Sequence, residues 1–212
     1  MDESITLHCI SLGQMQTNCY IAANNQTKEA VVFDPGDDGK RVISYLEENE
    51  LKLKAILLTH GHFDHIMAVP DLLEKYKNLP VYLHEEEADV ISNPNLSLCS
   101  MIGSNVKITP TNLVKDGEEI NLIGCMMTCI HVPGHTKGGV CYYFKGQGWL
   151  ISGDTLFQQS IGRTDFPTGD LDALLSGIRE KLFVLPDETV VLSGHTPKTT
   201  IGFEKKSNPF LR

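Results

Sequence analysis

Several features are scarce or missing in this 212-residue sequence, and each absence narrows the class of protein. No apolar run approaches the ~20 residues that a membrane-spanning helix needs, so we predict no membrane segment. The stretch MDESITLHCI (1–10) has no basic region followed by an apolar one, so we expect no signal peptide. The net charge of −9 argues against broad attraction to nucleic acid or an anionic membrane. We therefore expect a cytoplasmic protein.

The six cysteines are scattered and form no C-x-x-C pair. In a chain without an export signal this pattern favours reduced thiols over disulfides. Cys125 and Cys129 lie in an apolar run, which is typical of small core residues. The sequence also shows no coiled-coil pattern or other feature that predicts an oligomeric state.

The length and the ordinary apolar content, 41%, predict one domain over residues 1–212. Short β-rich runs dominate, and helical patterns interrupt them in each half. The predicted strands are 5–13, 18–24, 30–36, 52–60, 80–84, 119–131, 138–144, 148–152 and 189–193, and the predicted helices are 37–50, 65–77, 85–91 and 170–183. This α+β pattern suits two packed sheets with helices on the outside.

A dense cluster of coordinating side chains follows the apolar strand predicted at 52–60. The segment LLTHGHFDHI (57–66) contains His60, His62, Asp64 and His65 within six positions. Imidazole and carboxylate ligands suit zinc, iron or manganese. Four such groups so close together are better explained by two adjacent ions than by one, with His60 and His62 on one ion and Asp64 and His65 on the other.

Three further candidate ligands also lie at predicted strand ends or in adjoining loops. His135 lies in VPGHTKGG (132–139), Asp154 follows a strand in LISGDTLF (150–157), and His195 follows another in VVLSGHT (190–196). Rigid strand ends can direct side chains to one point. Asp154 has two carboxylate oxygens and could bridge two ions. His8, His84 and His131 are interpreted as structural or surface residues instead.

THGHFDH at 59–65, with the later His, Asp and His, closely resembles the signature of the metallo-β-lactamase superfamily. The resemblance extends from GQMQTNCYI (13–21) and VVFDPG (31–36) to SGHTPKTTIGFEKKSNPFL (193–211). It implies a four-layer αβ/βα sandwich. It also implies a first ion on His60, His62 and His135, a second on Asp64, His65 and His195, and Asp154 as the bridge.

Within that superfamily, GRTDFPTGD (162–170) and the C-terminal segment are similar to compact bacterial glyoxalase II-like proteins, which are hydroxyacylglutathione hydrolases. This resemblance implies hydrolysis of a thioester such as S-D-lactoylglutathione. Two divalent ions, zinc first among the candidates, would lower the pKa of a bridging water, and the resulting hydroxide would attack the thioester carbonyl. We predict a catalytic role for Asp64.

Arg163 is a candidate for binding a substrate carboxylate, with Asp165 orienting it, although a structural role weighs equally. Asp34, Thr59 and Ser152 are expected to support the ligand loops. We keep two alternative activities: a persulfide dioxygenase with a single iron, because such proteins carry a similar GRTDF segment, and a hydrolase of another ester or lactone. The expected partner is a small thioester, possibly linked to glutathione, and neither nucleic acid nor membrane.

Overall fold

Two six-stranded sheets form the centre of the computed structural model, which describes residues 4–212. The first sheet follows chain order: β1 (Ile5–Leu12), β2 (Thr17–Asn24), β3 (Glu29–Phe33), β4 (Lys52–Leu57), β5 (Val81–His84) and β6 (Asn112–Val114). The second contains β7 (Glu119–Asn121), β8 (Met126–His131), β9 (Val140–Phe144), β10 (Trp149–Gly153), β13 (Val190–Ser193) and β14 (Thr199–Thr200). Its strand order is β14-β13-β10-β9-β8-β7, and a small hairpin pairs β11 (Leu156–Phe157) with β12 (Ser160–Ile161).

Six α-helices accompany the sheets in the described part of the chain. They are α1 (Gly39–Glu48), α2 (Phe63–Ile66), α3 (Val69–Lys75), α4 (Ala88–Ser92), α5 (Leu171–Gly177) and α6 (Ile201–Ser207). Short 3₁₀ turns occupy Glu85–Glu87 and Cys99–Ile102, and a π-helical turn at Ile178–Leu182 continues α5.

Three apolar layers hold these elements together. Between the sheets, the ring of Phe33 packs against Tyr142 and Phe144, with centroids 5.3 and 5.9 Å apart. On the outer face of the first sheet, Val42 of α1 and Leu72 of α3 belong to a second buried cluster. A third cluster buries α5 and the π-helical turn against the second sheet. The four-layer αβ/βα sandwich is thereby confirmed, and Cys125 and Cys129 lie in its central layer as predicted.

Two predicted elements were wrong in their extent. The helix expected at 65–77, with Pro70 marking an early kink or a late start, is two helices. The chain leaves helical hydrogen bonding at Ala68, whose N–H is donated to the carbonyl of Pro35. Pro70, which lacks an N–H, falls in the first turn of α3, where none is needed. The strand expected at 119–131 is the hairpin β7–β8, which turns at Gly124 with a left-handed φ of +73°.

The sequence patterns did not predict four elements, because each is short. They are β6, the β11–β12 hairpin, β14 and α6. No helix within residues 4–212 is long and apolar enough to cross a bilayer. The single domain over residues 1–212 stays a prediction.

Candidate metal centre

The site lies where parallel strands from both sheets end. In the first sheet β3 and β4 run parallel, so Asp34 and the segment His60–His65 leave the same edge. In the second sheet β10 and β13 run parallel, and Asp154 and His195 follow their carboxyl ends. The structure therefore brings all seven candidate ligands, which span residues 60–195, to one edge of the sandwich.

One group of ligand atoms comes from His60, His62 and His135. All three residues are buried, and one ligand atom from each lies within 4.8 Å of the others. Nδ1 of His62 is 2.9 Å from Nε2 of His135. This short separation, at which one nitrogen can donate a hydrogen bond to the other, brings two imidazoles to one point.

A second group comes from Asp64, His65 and His195. Nε2 of His195 is 3.0 Å from Oδ2 of Asp64, and Nε2 of His65 is 3.7 Å from the same oxygen. Thr17, at the start of β2, donates its hydroxyl to Asp64 at 3.2 Å. Sequence reasoning missed Thr17, which is 47 residues away along the chain.

Asp154 lies between the two groups. Its Oδ1 is 3.3 Å from Nε2 of His65, and its Oδ2 is 3.6 Å from Nε2 of His135 and 3.4 Å from Nε2 of His195. One carboxylate therefore faces histidines of both groups, which is the position that a bridging ligand requires.

Unsatisfied polar atoms provide a test of whether the residues fit bound metal. Nε2 of His60 and Nε2 of His62 are buried and have no hydrogen-bond partner among the described residues. Buried polar atoms are normally paired, and orphaned ones are costly. Unpaired nitrogens of neutral imidazoles beside the carboxylates of Asp64 and Asp154 fit divalent cations. The cluster is thus suited to metal binding.

The protonation of His60 is set by residues behind it. The hydroxyl of Thr59 donates its one proton to Oδ2 of Asp34 at 2.7 Å, since a carboxylate only accepts. Nδ1 of His60, 3.1 Å from the same hydroxyl, must then be the N–H that donates to it. The lone pair is left on Nε2, toward the cluster. Asp34 also accepts from the Thr59 backbone N–H at 2.8 Å, in keeping with the predicted supporting role.

His135 is oriented in the same way. Its Nδ1 lies 2.8 Å from the carbonyl oxygen of Arg163, to which it donates, so Nε2 carries the lone pair. The main chain of Arg163 thus supports a ligand whatever its side chain does.

The histidines of the two groups differ in charge state. Burial, reinforced by neighbouring imidazoles, holds the pKa of His60 well below its usual value, and burial lowers the pKa of His62 to about 3. Burial likewise lowers the pKa of His135. Burial also opposes charge on His195, but its hydrogen bonds to Asp154 and Asp64 prevail and raise the pKa to about 9. Burial opposes charge on His65 too, but the carboxylates of Asp154 and Asp64 raise its pKa well above the usual value. The first group is therefore neutral at pH 7, whereas His65 and His195 of the second group hold protons that a cation must displace.

A buried carboxylate outside the ligand set joins the two ligand loops. Glu87 is fully buried and accepts the N–H of Gly61, between His60 and His62, and the N–H of Gly138, near His135, both at 2.8 Å. Burial outweighs these donors and raises its pKa to about 7. The sequence did not indicate a role for Glu87, because it directly follows two exposed glutamates in an acidic run.

A cavity of about 500 Å³ opens over the cluster. His62, Asp64, His135, Asp154 and His195 reach its wall, and so does the side chain of Arg163. The Arg163 guanidinium is engaged by its own neighbours: it donates to both carboxylate oxygens of Asp165 at 2.7 and 2.6 Å and lies 3.8 Å above the ring of Phe166.

The three histidines set aside in the sequence lie elsewhere. His84 and His131 stack on one another with centroids 3.9 Å apart, and His8 stacks on Tyr45 at 4.1 Å. None of them belongs to the ligand groups.

Comparison with known proteins agrees with this fold and site. The sequence profile of the metallo-beta-lactamase superfamily matches residues 12–195. The chain is 41% identical over 202 residues to the probable metallo-hydrolase YqgX of Bacillus subtilis, covering 94% of each chain. It is 36% identical over 217 residues to the hydroxyacylglutathione hydrolase GloC of Haemophilus influenzae, covering 98% of each. The protein therefore belongs to the metallo-beta-lactamase superfamily, and its named relatives are metallo-hydrolases.

Solved structures resemble the chain over nearly its whole length. BLEG-1, a B3 metallo-beta-lactamase, superposes with a TM-score of 0.92 at 42% identity, covering 97% of this chain and 99% of its own. TTHA1623, solved in a di-iron-bound form, superposes with a TM-score of 0.85 at 36% identity, covering 96% of this chain and 100% of its own. ETHE1 from Myxococcus xanthus superposes with a TM-score of 0.79 at 28% identity, covering 96% of this chain and 83% of its own. These three proteins share the fold under different names, so the fold does not determine the substrate.

Proposed function

We propose that the protein is a binuclear metallohydrolase that cleaves thioesters. One observation carries the proposal: two groups of ligand atoms, with Asp154 between them, lie in the wall of a single cavity. His60, His62 and His135 would hold one cation, Asp64, His65 and His195 the other, and Asp154 both. Bound divalent cations there supply a water of lowered pKa and polarise a carbonyl.

The protein's own groups orient the reactants. Asp64 is held by Thr17 and His195 and reaches the cavity, where its carboxylate can accept the proton that the attacking water loses. The attack breaks the C–S bond and yields a carboxylic acid and a thiol. A thiol has a pKa near 8.5, so the thiolate leaves without a strong general acid. No acid beyond the ligand carboxylates is needed on the cavity wall.

The choice of a thioester draws support from the relative GloC, named a hydroxyacylglutathione hydrolase. S-D-lactoylglutathione is accordingly the reference substrate. We propose zinc as the metal because imidazole and carboxylate donors suit it, and iron or manganese satisfies the same donors. The di-iron form of TTHA1623 shows that iron is bound by a protein of this fold.

Persulfide dioxygenation at a single iron remains the alternative, and hydrolysis of another ester or lactone is the third possibility. A single-iron enzyme would need only one ligand group, whereas two groups of three residues converge here with Asp154 between them. The absence of nucleic-acid and membrane partners and the cytoplasmic location stay predictions from the sequence.

The test compares metal content and turnover. The metal-replete protein is expected to bind two ions per chain and to release thiol from S-D-lactoylglutathione or S-acetyl-N-acetylcysteamine, and chelation should abolish the release. In Asp154→Ala we expect fewer than two bound ions per chain. Loss of a residue that only supports a metal ligand reduces activity by up to about 100-fold. Loss of a bridging ligand should reduce turnover by more than that. His8→Ala, which alters an exposed histidine on β1, is the matched control.

Two ions and unchanged turnover in Asp154→Ala would refute the bridging role. One iron per chain, together with oxygen uptake in the presence of glutathione persulfide and indifference to loss of His195, would establish the dioxygenase instead.

A further inference from the structure

Beyond the ligand cluster, the cavity is built from apolar side chains. Phe63 of α2 forms part of its remaining wall. The other apolar side chains there are Met15, Leu98, Met101, Phe157, Ile161 and Phe166. They come from the β1–β2 turn, the 3₁₀ turn at Cys99–Ile102 and its flank, the β11–β12 hairpin and the segment after it. Apolar walls with a few polar groups at one end are typical of sites for small organic molecules.

Leu98 and Ile161 are buried, but the two methionines of the wall do not complete the core. Met101 is 69% exposed and Met15 is 54% exposed, although each reaches the cavity. Leu98 adopts a left-handed φ of +62°, which costs a residue other than glycine on the order of 1 kcal/mol or more. Backbone strain of this kind is concentrated at ligand sites. The strained Leu98 starts the turn that places Met101 at the cavity.

Outside the ligand cluster, the cavity offers little free positive charge to an anionic group of the substrate. Arg163 is the only lysine or arginine among the described residues that line it. Both oxygens of Asp165 and the face of Phe166 already engage its guanidinium. A substrate carboxylate would therefore have to compete with Asp165 for this guanidinium. The arginine instead holds the Phe166 ring in place as part of the apolar wall.

We propose that the cavity binds the apolar acyl group of the substrate, so that the preferred substrates are thioesters of apolar carboxylic acids rather than of polar hydroxy acids on an anionic thiol. This inference rests on the proposed thioester hydrolysis. The scissile carbonyl lies at the cluster. Away from the cluster, the anionic leaving thiolate finds no unpaired lysine or arginine among the described residues that line the cavity, so it departs toward water. The neutral acyl chain is therefore the part that occupies the apolar wall.

A series of thioesters of one uncharged thiol tests this assignment. For S-acyl-N-acetylcysteamines with acetyl, butanoyl and hexanoyl groups, each buried methylene adds about fourfold to kcat/KM. We expect hexanoyl to exceed acetyl by roughly 100-fold or more. S-D-lactoylglutathione should be cleaved less efficiently than S-hexanoylglutathione, which carries the same thiol.

Variants assign the preference to the cavity wall. Met101→Ser, at an exposed position that does not threaten folding, should reduce kcat/KM for hexanoyl several-fold and for acetyl less than twofold. Val184→Ser changes an apolar residue of similar exposure (73%) outside the cavity and should leave the series unchanged. Asp165→Asn frees Arg163 and should raise kcat/KM for S-D-lactoylglutathione relative to the neutral series.

The outcomes separate the two proposals. Turnover of the acetyl thioester with no rise along the series, or a preference for S-D-lactoylglutathione, overturns the acyl assignment and leaves the hydrolase standing. Absence of turnover on every thioester, with two ions bound, overturns both.

Discussion

At the scale of single residues, the site depends on groups that hold the ligands as much as on the ligands themselves. Thr59 fixes the tautomer of His60, the carbonyl of Arg163 fixes that of His135, and Thr17 holds Asp64. Such outer partners set the orientation and basicity of a ligand. Glu87 goes further, because one carboxylate fastens the backbone of both ligand loops.

Replacement of Glu87 by glutamine should therefore loosen the first group of ligands. The new amide keeps one acceptor oxygen but turns an NH₂ toward a backbone N–H, which leaves a buried donor unpaired at a cost of about 1–3 kcal/mol. We expect metal affinity to fall about 10- to 100-fold. Competition with a chromophoric chelator measures this, and the d–d spectrum of the Co²⁺-substituted protein reports ligand geometry.

Glu86→Gln removes the same charge from the exposed neighbouring position and should bind metal like the unaltered protein. Equal affinity in both variants would show that the Glu87 carboxylate does not position the ligands.

At the scale of elements, strand ends and close inter-sheet contacts position the site. The N–H of Val140, which begins β9, donates to the carbonyl of Thr59 at 2.9 Å, and the hydroxyl of Tyr142 donates to the carbonyl of Leu58 at 3.0 Å. These bonds join β9 of the second sheet to the segment that leads into the histidine cluster. Gly36 allows a further close approach, because a Cβ there would lie 1.7 Å from the carbonyl oxygen of Asp64.

Removal of the Tyr142 hydroxyl should weaken the junction of the sheets. Tyr142→Phe leaves the carbonyl of Leu58 without that donor in a fully buried place, so we expect the free energy of unfolding to fall by about 1–2 kcal/mol. Urea denaturation measures the change.

Tyr143→Phe on the same strand is the control, since the Tyr143 hydroxyl makes no hydrogen bond within residues 4–212. If the two variants lose stability equally, the Tyr142 bond does not join the sheets in solution.

At the scale of the whole molecule, each half of the sandwich provides part of the site. The first half contributes the four ligands of His60–His65, and the second contributes His135, Asp154 and His195. Each group of three includes at least one residue from the second half. Cations bound at both groups would therefore link the halves, and a ligand that binds only the folded state stabilises it.

We accordingly expect metal binding to raise the melting temperature, and to raise it more as the pH increases. Below about pH 9 His195 carries a proton in the metal-free protein, and so does His65, whose pKa is raised well above its usual value by Asp154 and Asp64 despite burial. A cation bound at this group must displace these protons. Apparent affinity thus gains at least about tenfold, or about 1.4 kcal/mol of stabilisation, per pH unit below pH 9.

Melting temperatures with metal and with chelator, taken at pH 6.5, 7.5 and 8.5, measure this dependence. A metal-induced increase of roughly 10 °C is expected where the free metal exceeds its Kd about 1,000-fold. An increase that shrinks as the pH rises through this range would contradict the proton displacement.

The sequence by itself determined the fold class and the seven candidate ligands. Apolar periodicity and turn residues depend on neighbours a few positions apart, so they predict strands such as β2 and β4 directly. The segment THGHFDH likewise shows four candidate ligands within seven residues. The exact limits of elements were harder to predict. Helix 65–77 broke at Ala68 because of a bond to the carbonyl of Pro35, which local pattern cannot show.

Only the tertiary structure decided how distant side chains combine. Glu87 meets Gly138 across 51 positions, and Thr17 meets Asp64 across 47, so neither contact leaves a trace in local spacing. The apolar wall over the cluster likewise gathers side chains from separate segments of the chain. The physical reason is that local sequence selects strands, turns and ligand types, whereas the packing of the two sheets determines which of these groups share a cavity and which charges are already paired.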